Sequence, residues 1–276
     1  MPQLTSRSSD QRRPLAAKVP EIGLLFWAIK LLTTGIGEST SDFLGQTNVA
    51  MAGVVGVVFL VVALRRQLRA PEYRAPTYWS AVLAVAIFGT MAADGVRDGA
   101  GISYAVTTAV CALGVAAVFV LWYRSEGTLS IHSITTARRE RFYWMAVFAT
   151  FALGTAAGDW TAMQLDLGFF GSALAFGALI AIPALGWWRA QLNPIVAFWA
   201  AYIITRPLGA SFADWFSKPS ANTGLGLGDG TVTAIGLLAF VALVAYVTVT
   251  RRDIQPAQHP DDASPRLGLE PQSAEG

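Results

Sequence analysis

One spacing constrains this chain more than any other feature: an aromatic residue, Trp, nine residues, Gly, four residues and Asp. It occurs four times, each time in an apolar run long enough to cross a bilayer as an α-helix. The copies are Phe26-Trp27…Gly37…Asp42, Tyr78-Trp79…Gly89…Asp94, Tyr143-Trp144…Gly154…Asp159 and Phe198-Trp199…Gly209…Asp214. Such self-similarity is the signature of an internal repeat, so we expect a fourfold-duplicated membrane protein.

Composition supports the same class. Hydrophobic residues make up 54% of the chain and charged residues only 14%, whereas about a quarter of the residues in a soluble domain are charged. The apolar runs with the length of a membrane-spanning helix lie near residues 22–44, 47–64, 77–97, 102–123, 142–163, 168–188, 194–216 and 230–250. The expected fold class is therefore all-α, a polytopic membrane protein with eight transmembrane helices.

Each repeat is predicted to be a hairpin whose first helix carries the Trp–Gly–Asp pattern and whose second helix returns. Two helices per repeat send all four copies into the membrane in the same direction, so the repeats are parallel. We expect a cytoplasmic N-terminal tail (1–20), an eight-helix membrane domain (21–252) and a disordered cytoplasmic C-terminal tail (253–276). Within the membrane domain the repeats are expected at about 22–66, 77–124, 142–189 and 194–252.

The basic residues predict the orientation. Of the 20 Lys and Arg residues, 16 fall on the side that holds both termini. Lys30 and Arg206 fall inside helices, and only Arg97 and Lys218 remain for the other side. The positive-inside rule then places both termini in the cytoplasm. We interpret the basic linkers as topology signals, and we expect no nucleic-acid partner.

The first repeat carries a further resemblance. Lys18-Val19-Pro20-Glu21-Ile22 is followed by Phe26-Trp27, Lys30, Gly37-Glu38 and Ser41-Asp42-Phe43. Over residues 18–250 the chain resembles a family of bacterial integral membrane proteins with four copies of a two-helix repeat of unknown function. The resemblance implies a multi-pass protein of the bacterial inner membrane and names no substrate.

Several kinds of chemistry are disfavoured by composition. Cys111 is the only cysteine, and the two histidines, His132 and His259, fall in a linker and in the C-terminal tail. We therefore expect no zinc, haem or iron–sulfur centre, and no cofactor. We also expect no enzyme, because the sequence has no nucleophile motif and no nucleotide-binding loop, although paired carboxylates alone can do acid–base work.

A polar stripe runs along the first helix, where Lys30, Thr34, Glu38 and Asp42 recur every four residues and so share one face. Glu38 and Asp42 repel each other unless they bind a cation or share a proton. Charges at membrane depth commonly mark ion pathways, and oxygen ligands favour hard cations. The predicted ion-binding or pathway residues are Glu38, Asp42, Asp94, Asp159 and Asp214; the metal, if any, stays open.

Arg206 is the deepest cation of the predicted bundle and stands where the other three repeats have uncharged residues. It needs an anion within reach. Glu38 differs from it in depth by about 6 Å and lies in the helix that closure of a four-repeat ring brings alongside. We therefore expect Arg206 to pair with Glu38. Lys30 is the second predicted counter-charge, and we expect its side chain to reach back to the interface.

The remaining repeated residues are assigned structural roles. The four Gly are expected to pack closely against neighbouring helices. The four Asp are expected at one level on the non-cytoplasmic side. The predicted anchors at the cytoplasmic interface are Trp27, Trp79, Trp144 and Trp199.

Two functional hypotheses remain open. The preferred one is transport or conduction of a small cation, either a divalent metal ion or a proton. The alternative is a non-transporting membrane scaffold or stress-response component whose polar residues only tie helices together, because Asp near a helix end also bonds to loop backbone. A water-accessible path to Glu38 would favour transport, and a dry, packed interior would favour a scaffold. The expected partners are the lipid bilayer and a small cation, with the oligomeric state open.

Overall fold

The computed structural model describes residues 17–255, which form an all-helical fold. Its eight long helices each contain 21 to 26 residues. They are α1 (Leu24–Thr47), α2 (Val49–Arg69), α3 (Ala75–Ala100), α4 (Tyr104–Glu126), α5 (Ala137–Asp159), α6 (Gly168–Ala190), α7 (Pro194–Ser217) and α8 (Asp229–Thr250). All eight predicted helices are present. Residues 1–16 and 256–276, which include most of both predicted tails, lie outside the described residues.

Six of the helices, α2, α3, α4, α6, α7 and α8, are long and apolar enough to cross a membrane. The chain is therefore a polytopic membrane protein. The other two long helices, α1 and α5, carry the buried charges of Lys30, Glu38 and Glu140. Charged side chains inside membrane bundles face other helices instead of lipid, so a less apolar helix fits the interior position that α1 and α5 occupy.

Four helices, α1, α3, α5 and α7, form a closed inner ring. Each packs against the next in this order, and α7 packs back against α1. These are the helices that carry the Trp–Gly–Asp pattern, one from each repeat. The predicted contact between the first and the seventh helix is confirmed.

The return helices lie outside the ring, and each packs mainly on the inner helix of the following repeat: α2 on α3, α4 on α5, α6 on α7, and α8 on α1. A hairpin is therefore not a separate packing unit, since its two helices belong to adjacent parts of the ring. The outward faces of the return helices expose large apolar side chains such as Val58, Leu113 and Leu238, as a lipid-facing surface requires.

The repeated glycines make the ring tight. Each one meets the residue that lies three positions before the glycine of the next repeat: Gly37 meets Ala86, Gly89 meets Phe151, Gly154 meets Arg206, and Gly209 meets Thr34. A Cβ on Gly37 would lie 2.6 Å from the Cβ of Ala86, and one on Gly209 would lie 2.7 Å from the Cβ of Thr34. The predicted close-packing role is confirmed at all four positions.

The aromatic–Trp pairs form a second cyclic set at the amino ends of the inner helices. The first aromatic residue of each pair contacts the Trp of the next repeat, with ring centroids 5.6 to 6.2 Å apart. The pairs are Phe26–Trp79, Tyr78–Trp144, Tyr143–Trp199 and Phe198–Trp27. Three of the four residues expected to be interface anchors are thus buried inside the ring: Trp79, Trp144 and Trp199. The fourth, Trp27, is partly exposed.

Both ends of the described chain pack across this aromatic end. Lys18, expected in the N-terminal tail, is buried, and its Nζ lies 2.5 Å from Oε2 of Glu140. Asp253, expected in the C-terminal tail, accepts a hydrogen bond from the hydroxyl of Tyr73, and its carbonyl accepts one from the amide of Glu21 at 2.8 Å. These contacts tie the segments on either side of the helical domain together.

Candidate functional site

Residues four positions apart on the inner helices stack in layers along the axis of the ring, because four residues advance a helix by about 6 Å with only about 40° of rotation. Every member of the first four layers is buried. From the aromatic end, the layers are Phe26, Tyr78, Tyr143 and Phe198; Lys30, Val82, Val147 and Tyr202; Thr34, Ala86, Phe151 and Arg206; Glu38, Thr90, Thr155 and Ala210; and finally Asp42, Asp94, Asp159 and Asp214.

The guanidinium of Arg206 lies at the centre of the ring. Its Nη2 donates to Oε2 of Glu38 at 3.0 Å, to Oγ1 of Thr155 at 2.9 Å and to Oγ1 of Thr90, while Nη1 donates to the carbonyl of Thr34 at 2.8 Å. The predicted pair of Arg206 and Glu38 is therefore confirmed. Because Glu38, Thr90 and Thr155 occupy the same position in three repeats, their convergence on one nitrogen places that atom near the pseudo-fourfold axis.

Lys30 lies one layer away, inside the ring. Its side chain is only 1% exposed, and Nζ lies 4.2 Å from the ring centroids of both Phe151 and Tyr202. Nζ makes no hydrogen bond, and no carboxylate of the described residues forms an ion pair with it. The prediction that Lys30 reaches back to the interface is wrong, because the rotation of α1 that turns Glu38 toward the axis turns Lys30 there as well.

Arg97 bridges two of the repeated Asp residues at the far end of the ring. Its Nη1 lies 2.9 Å from Oδ2 of Asp159 and 3.9 Å from Oδ1 of Asp94, and its Nε lies 2.8 Å from Oδ1 of the exposed Asp98. Arg97 thus links α3 to α5.

Lys218 bridges the other two repeated Asp residues. Its Nζ lies 2.5 Å from Oδ2 of Asp42 and 3.9 Å from Oδ1 of Asp214, and it also lies 3.1 Å from Oδ1 of Asp229. Burial alone lowers the pKa of Lys218. The carboxylates of Asp42 and Asp214 outweigh this effect and raise the pKa above its ordinary value. Lys218 belongs to the fourth repeat and Arg97 to the second, so the two bridges are related by pseudo-twofold symmetry.

Three carboxylates at this end converge from α1 and α7, and we call Glu38, Asp42 and Asp214 the acidic cluster. One oxygen of each lies within 4.8 Å of the others. Asp214 is 5% exposed, and its Oδ1 accepts no hydrogen bond from any described residue. Carboxylate oxygens arranged in this way can hold a hard cation. The other two predicted pathway residues, Asp94 and Asp159, lie in the separate pair around Arg97.

Sequence reasoning did not assign Lys218 and Asp229 to this site. The eleven-residue connection that contains Lys218, residues 218–228, folds back on the end of α7, with the amide of Leu225 donating to the carbonyl of Trp215 at 2.7 Å. Such backbone pairing is not visible in a hydropathy pattern. The available signal was that Lys218 and Arg97 are the only basic residues that the topology leaves for this side.

Two cavities, each of about 670 Å³, flank the ring. One lies at the aromatic end beside Tyr73, Arg251 and Asp253. The other lies between α1, α6 and α7 and is lined by Trp27 and Phe198 among other residues. Neither cavity is lined by a residue of the acidic cluster.

Comparison with known proteins identifies the repeat. Residues 77–128, 142–193 and 197–253, together more than half of the chain, match the family described as Repeat of Unknown Function (DUF347). Each matched segment contains most of one inner helix and the whole of its return helix. Residues 24–69, outside the matches, carry the same pattern and complete the ring. No curated protein and no solved structure matched the chain.

Proposed function

Because the chain belongs to the family described as Repeat of Unknown Function (DUF347), we propose its activity from the site alone, as transport or conduction of a small cation across a membrane. The substrate is either a divalent metal ion or a proton. The acidic cluster supplies the first ligands, Asp94 and Asp159 complete an acidic mouth, and Arg206 is the internal counter-charge.

One observation carries this proposal: a column of charged and hydroxyl-bearing residues follows the ring axis inward from the Asp layer. It leads from Asp42 through Glu38 to Arg206, which is fully buried among the inner helices. A buried charged pair contributes little to stability compared with an apolar core of the same shape. Charges at membrane depth commonly line ion or proton pathways. The residues that break the fourfold repeat, Lys30, Glu38 and Arg206, all lie on this axis.

The proposed topology has eight spans in four parallel repeats, with both termini in the cytoplasm of a bacterial inner membrane. The described basic residues on the predicted cytoplasmic side, such as Arg69, Arg139 and Arg252, lie at the ends of helices that meet the aromatic end. The acidic end then faces the periplasm. The bilayer is the surrounding partner, and the proposal requires no cofactor, nucleic acid or enzymatic step.

The second candidate function, a non-transporting scaffold, is favoured by a different observation. The inner helices approach closely at all four glycines, and neither cavity is lined by the acidic cluster. Under that hypothesis the polar contacts of Arg206, Arg97 and Lys218 only hold the inner helices together. Under the transport hypothesis the same packing is a closed state that must open during turnover.

A flux assay separates the two candidates. The purified full chain is reconstituted into proteoliposomes and screened for uptake of protons, Ca²⁺, Mn²⁺ and Mg²⁺ with entrapped dyes. We expect one of these cations to enter, with entry lost in Glu38→Gln and kept in Asp166→Asn, because Asp166 is an exposed carboxylate in the connection between α5 and α6. No entry above protein-free liposomes for any cation would favour the scaffold.

A further inference from the structure

We propose that the acidic cluster binds one divalent cation of the size of Ca²⁺, and that the ammonium of Lys218 is its built-in competitor. This inference rests on the proposed function, because it names the site and the class of cation that the pathway would accept. It also assigns a role to Lys218, which the proposed pathway does not use.

The separation of the oxygens is compatible with an ion of the size of Ca²⁺. Ca²⁺ binds oxygen at about 2.3–2.6 Å, so two ligands on opposite sides of the ion lie about 4.6–5.2 Å apart. For Mg²⁺, at about 2.1 Å, the same separation is about 4.2 Å. The chosen oxygens of Glu38, Asp42 and Asp214 lie within 4.8 Å of one another. Separations of up to 4.8 Å lie within the span of oxygens bound to one Ca²⁺ ion, so Ca²⁺ fits between them, whereas Mg²⁺ needs oxygens on opposite sides of the ion to be no more than about 4.2 Å apart.

The charge of the network also points to a divalent ion. In the described part of the chain, four carboxylates, those of the acidic cluster and of Asp229, form ion pairs with two basic groups, Arg206 and Lys218. Two formal negative charges therefore remain. The hydrogen bonds that reach Glu38 from the described residues all use Oε2, which leaves Oε1 for another ligand.

A further indication comes from Asp214. Its carboxylate is buried, yet within residues 17–255 no group donates a hydrogen bond to Oδ1, and Nζ of Lys218 lies 3.9 Å away. A buried oxygen without a partner carries a desolvation penalty that is not offset. A metal ion bound between Asp42 and Asp214 would supply the missing contact.

Lys218 can leave this position. It follows the last residue of α7, and its side chain is 20% exposed, so the ammonium can turn toward solvent without moving a helix. Arg97 also contacts three carboxylates, those of Asp94, Asp98 and Asp159. Among the described residues, however, only Glu38, Asp42 and Asp214 form a group with metal-ligand spacing. The structure thus assigns the exchange to Lys218 and not to Arg97.

Chemical labelling of the wild-type chain tests the exchange. The chain has three lysines, Lys18, Lys30 and Lys218, of which Lys18 and Lys30 are buried and serve as internal references. The protein in detergent is treated briefly with a water-soluble succinimidyl ester, with and without Ca²⁺, and each lysine is quantified by mass spectrometry. We expect Ca²⁺ to raise the acylation of Lys218 several-fold and to leave the two references unchanged. Unchanged or reduced acylation of Lys218 would overturn the proposal.

Equilibrium binding of radioactive Ca²⁺ supplies the second measurement. A tethered ammonium competes with Ca²⁺ at a high effective concentration, so removing it should strengthen Ca²⁺ binding. We expect Lys218→Gln to bind Ca²⁺ about tenfold more tightly. Asp214→Asn should lose binding, and Arg124→Gln, an exposed charge far from the cluster, should match the wild type. Equal or weaker binding by a folded Lys218→Gln would contradict the competitor role. If this variant does not fold, the labelling of the wild-type chain decides.

The inference and the proposed function fail in different ways. Ca²⁺ binding and release of Lys218 without flux would leave the site in place and refute transport. Flux that depends on Glu38 but leaves the labelling of Lys218 insensitive to Ca²⁺ would support transport and refute this site.

Discussion

Arg206 of α7 donates from Nη2 to Oε2 of Glu38 in α1 at 3.0 Å, across 168 residues of sequence. Both side chains are buried, at 0% and 4% exposure. The contact closes the ring between the fourth and the first repeat, and two hydroxyl groups from the second and third repeats complete it. A single guanidinium thus joins all four repeats.

The first prediction concerns this pair. Arg206→Ala leaves the carboxylate of Glu38 buried without its cation, which should cost about 3–5 kcal/mol of unfolding free energy. Adding Glu38→Gln should recover part of that loss, because the uncompensated charge is removed. The measurement is a double-mutant cycle by chemical unfolding in detergent. Strict additivity of the two single changes would show that the contact is energetically unimportant.

The second prediction concerns the glycine contacts. A methyl group at position 209 would overlap Thr34 and approach the carbonyl of Leu31 at 3.1 Å, so Gly209→Ala should destabilise the fold by about 1–3 kcal/mol. The matched control is Gly114→Ala in α4, where nothing lies within 4 Å. That change should be neutral or stabilising, since Ala favours the helix by about 0.5–1 kcal/mol. Equal melting temperatures for the two variants would argue against a tight inner ring.

The third prediction concerns the topology. Reporter fusions placed after Arg69, Arg139 and Arg252 should all report the cytoplasm, because these residues lie at the ends of helices that the positive-inside rule keeps on one side. An alkaline phosphatase and a fluorescent-protein fusion at each position supply opposite readouts. One periplasmic result among the three would refute an eight-span arrangement with both termini inside.

Much of this structure follows from spacing alone. The distance from Trp to Asp in each copy predicts four equivalent helices. The small difference in depth between Arg206 and Glu38, about 6 Å, predicts their contact once the ring closes. Hydropathy sets only which helices face lipid, and it does not specify which neighbour a return helix packs on. The packing of α2 on α3, and of α8 on α1, therefore cannot be predicted from hydropathy.

The site was less predictable, for two physical reasons. Lys30 and Trp79 each stand at a depth where an exposed side chain could reach the interface, and only the rotation of their helices turns them inward. Lys218 is placed by backbone hydrogen bonds of the connection after α7, such as that from the amide of Gly226 to the carbonyl of Lys218 at 2.8 Å. Those bonds form only when the chain folds, and no periodic pattern in the sequence predicts them.

A thiol at position 210 tests directly whether the axis of the ring is a cation pathway. Ala210 occupies the layer of Glu38 and is 2% exposed. In a Cys111→Ala background, Ala210→Cys is treated in proteoliposomes with a membrane-impermeant cationic methanethiosulfonate while the transported cation is supplied. We expect modification of this thiol and loss of flux. We expect no modification of Ala63→Cys, because Ala63 is buried between α2 and its neighbours. An unmodified thiol at position 210 during continuing flux would contradict this pathway.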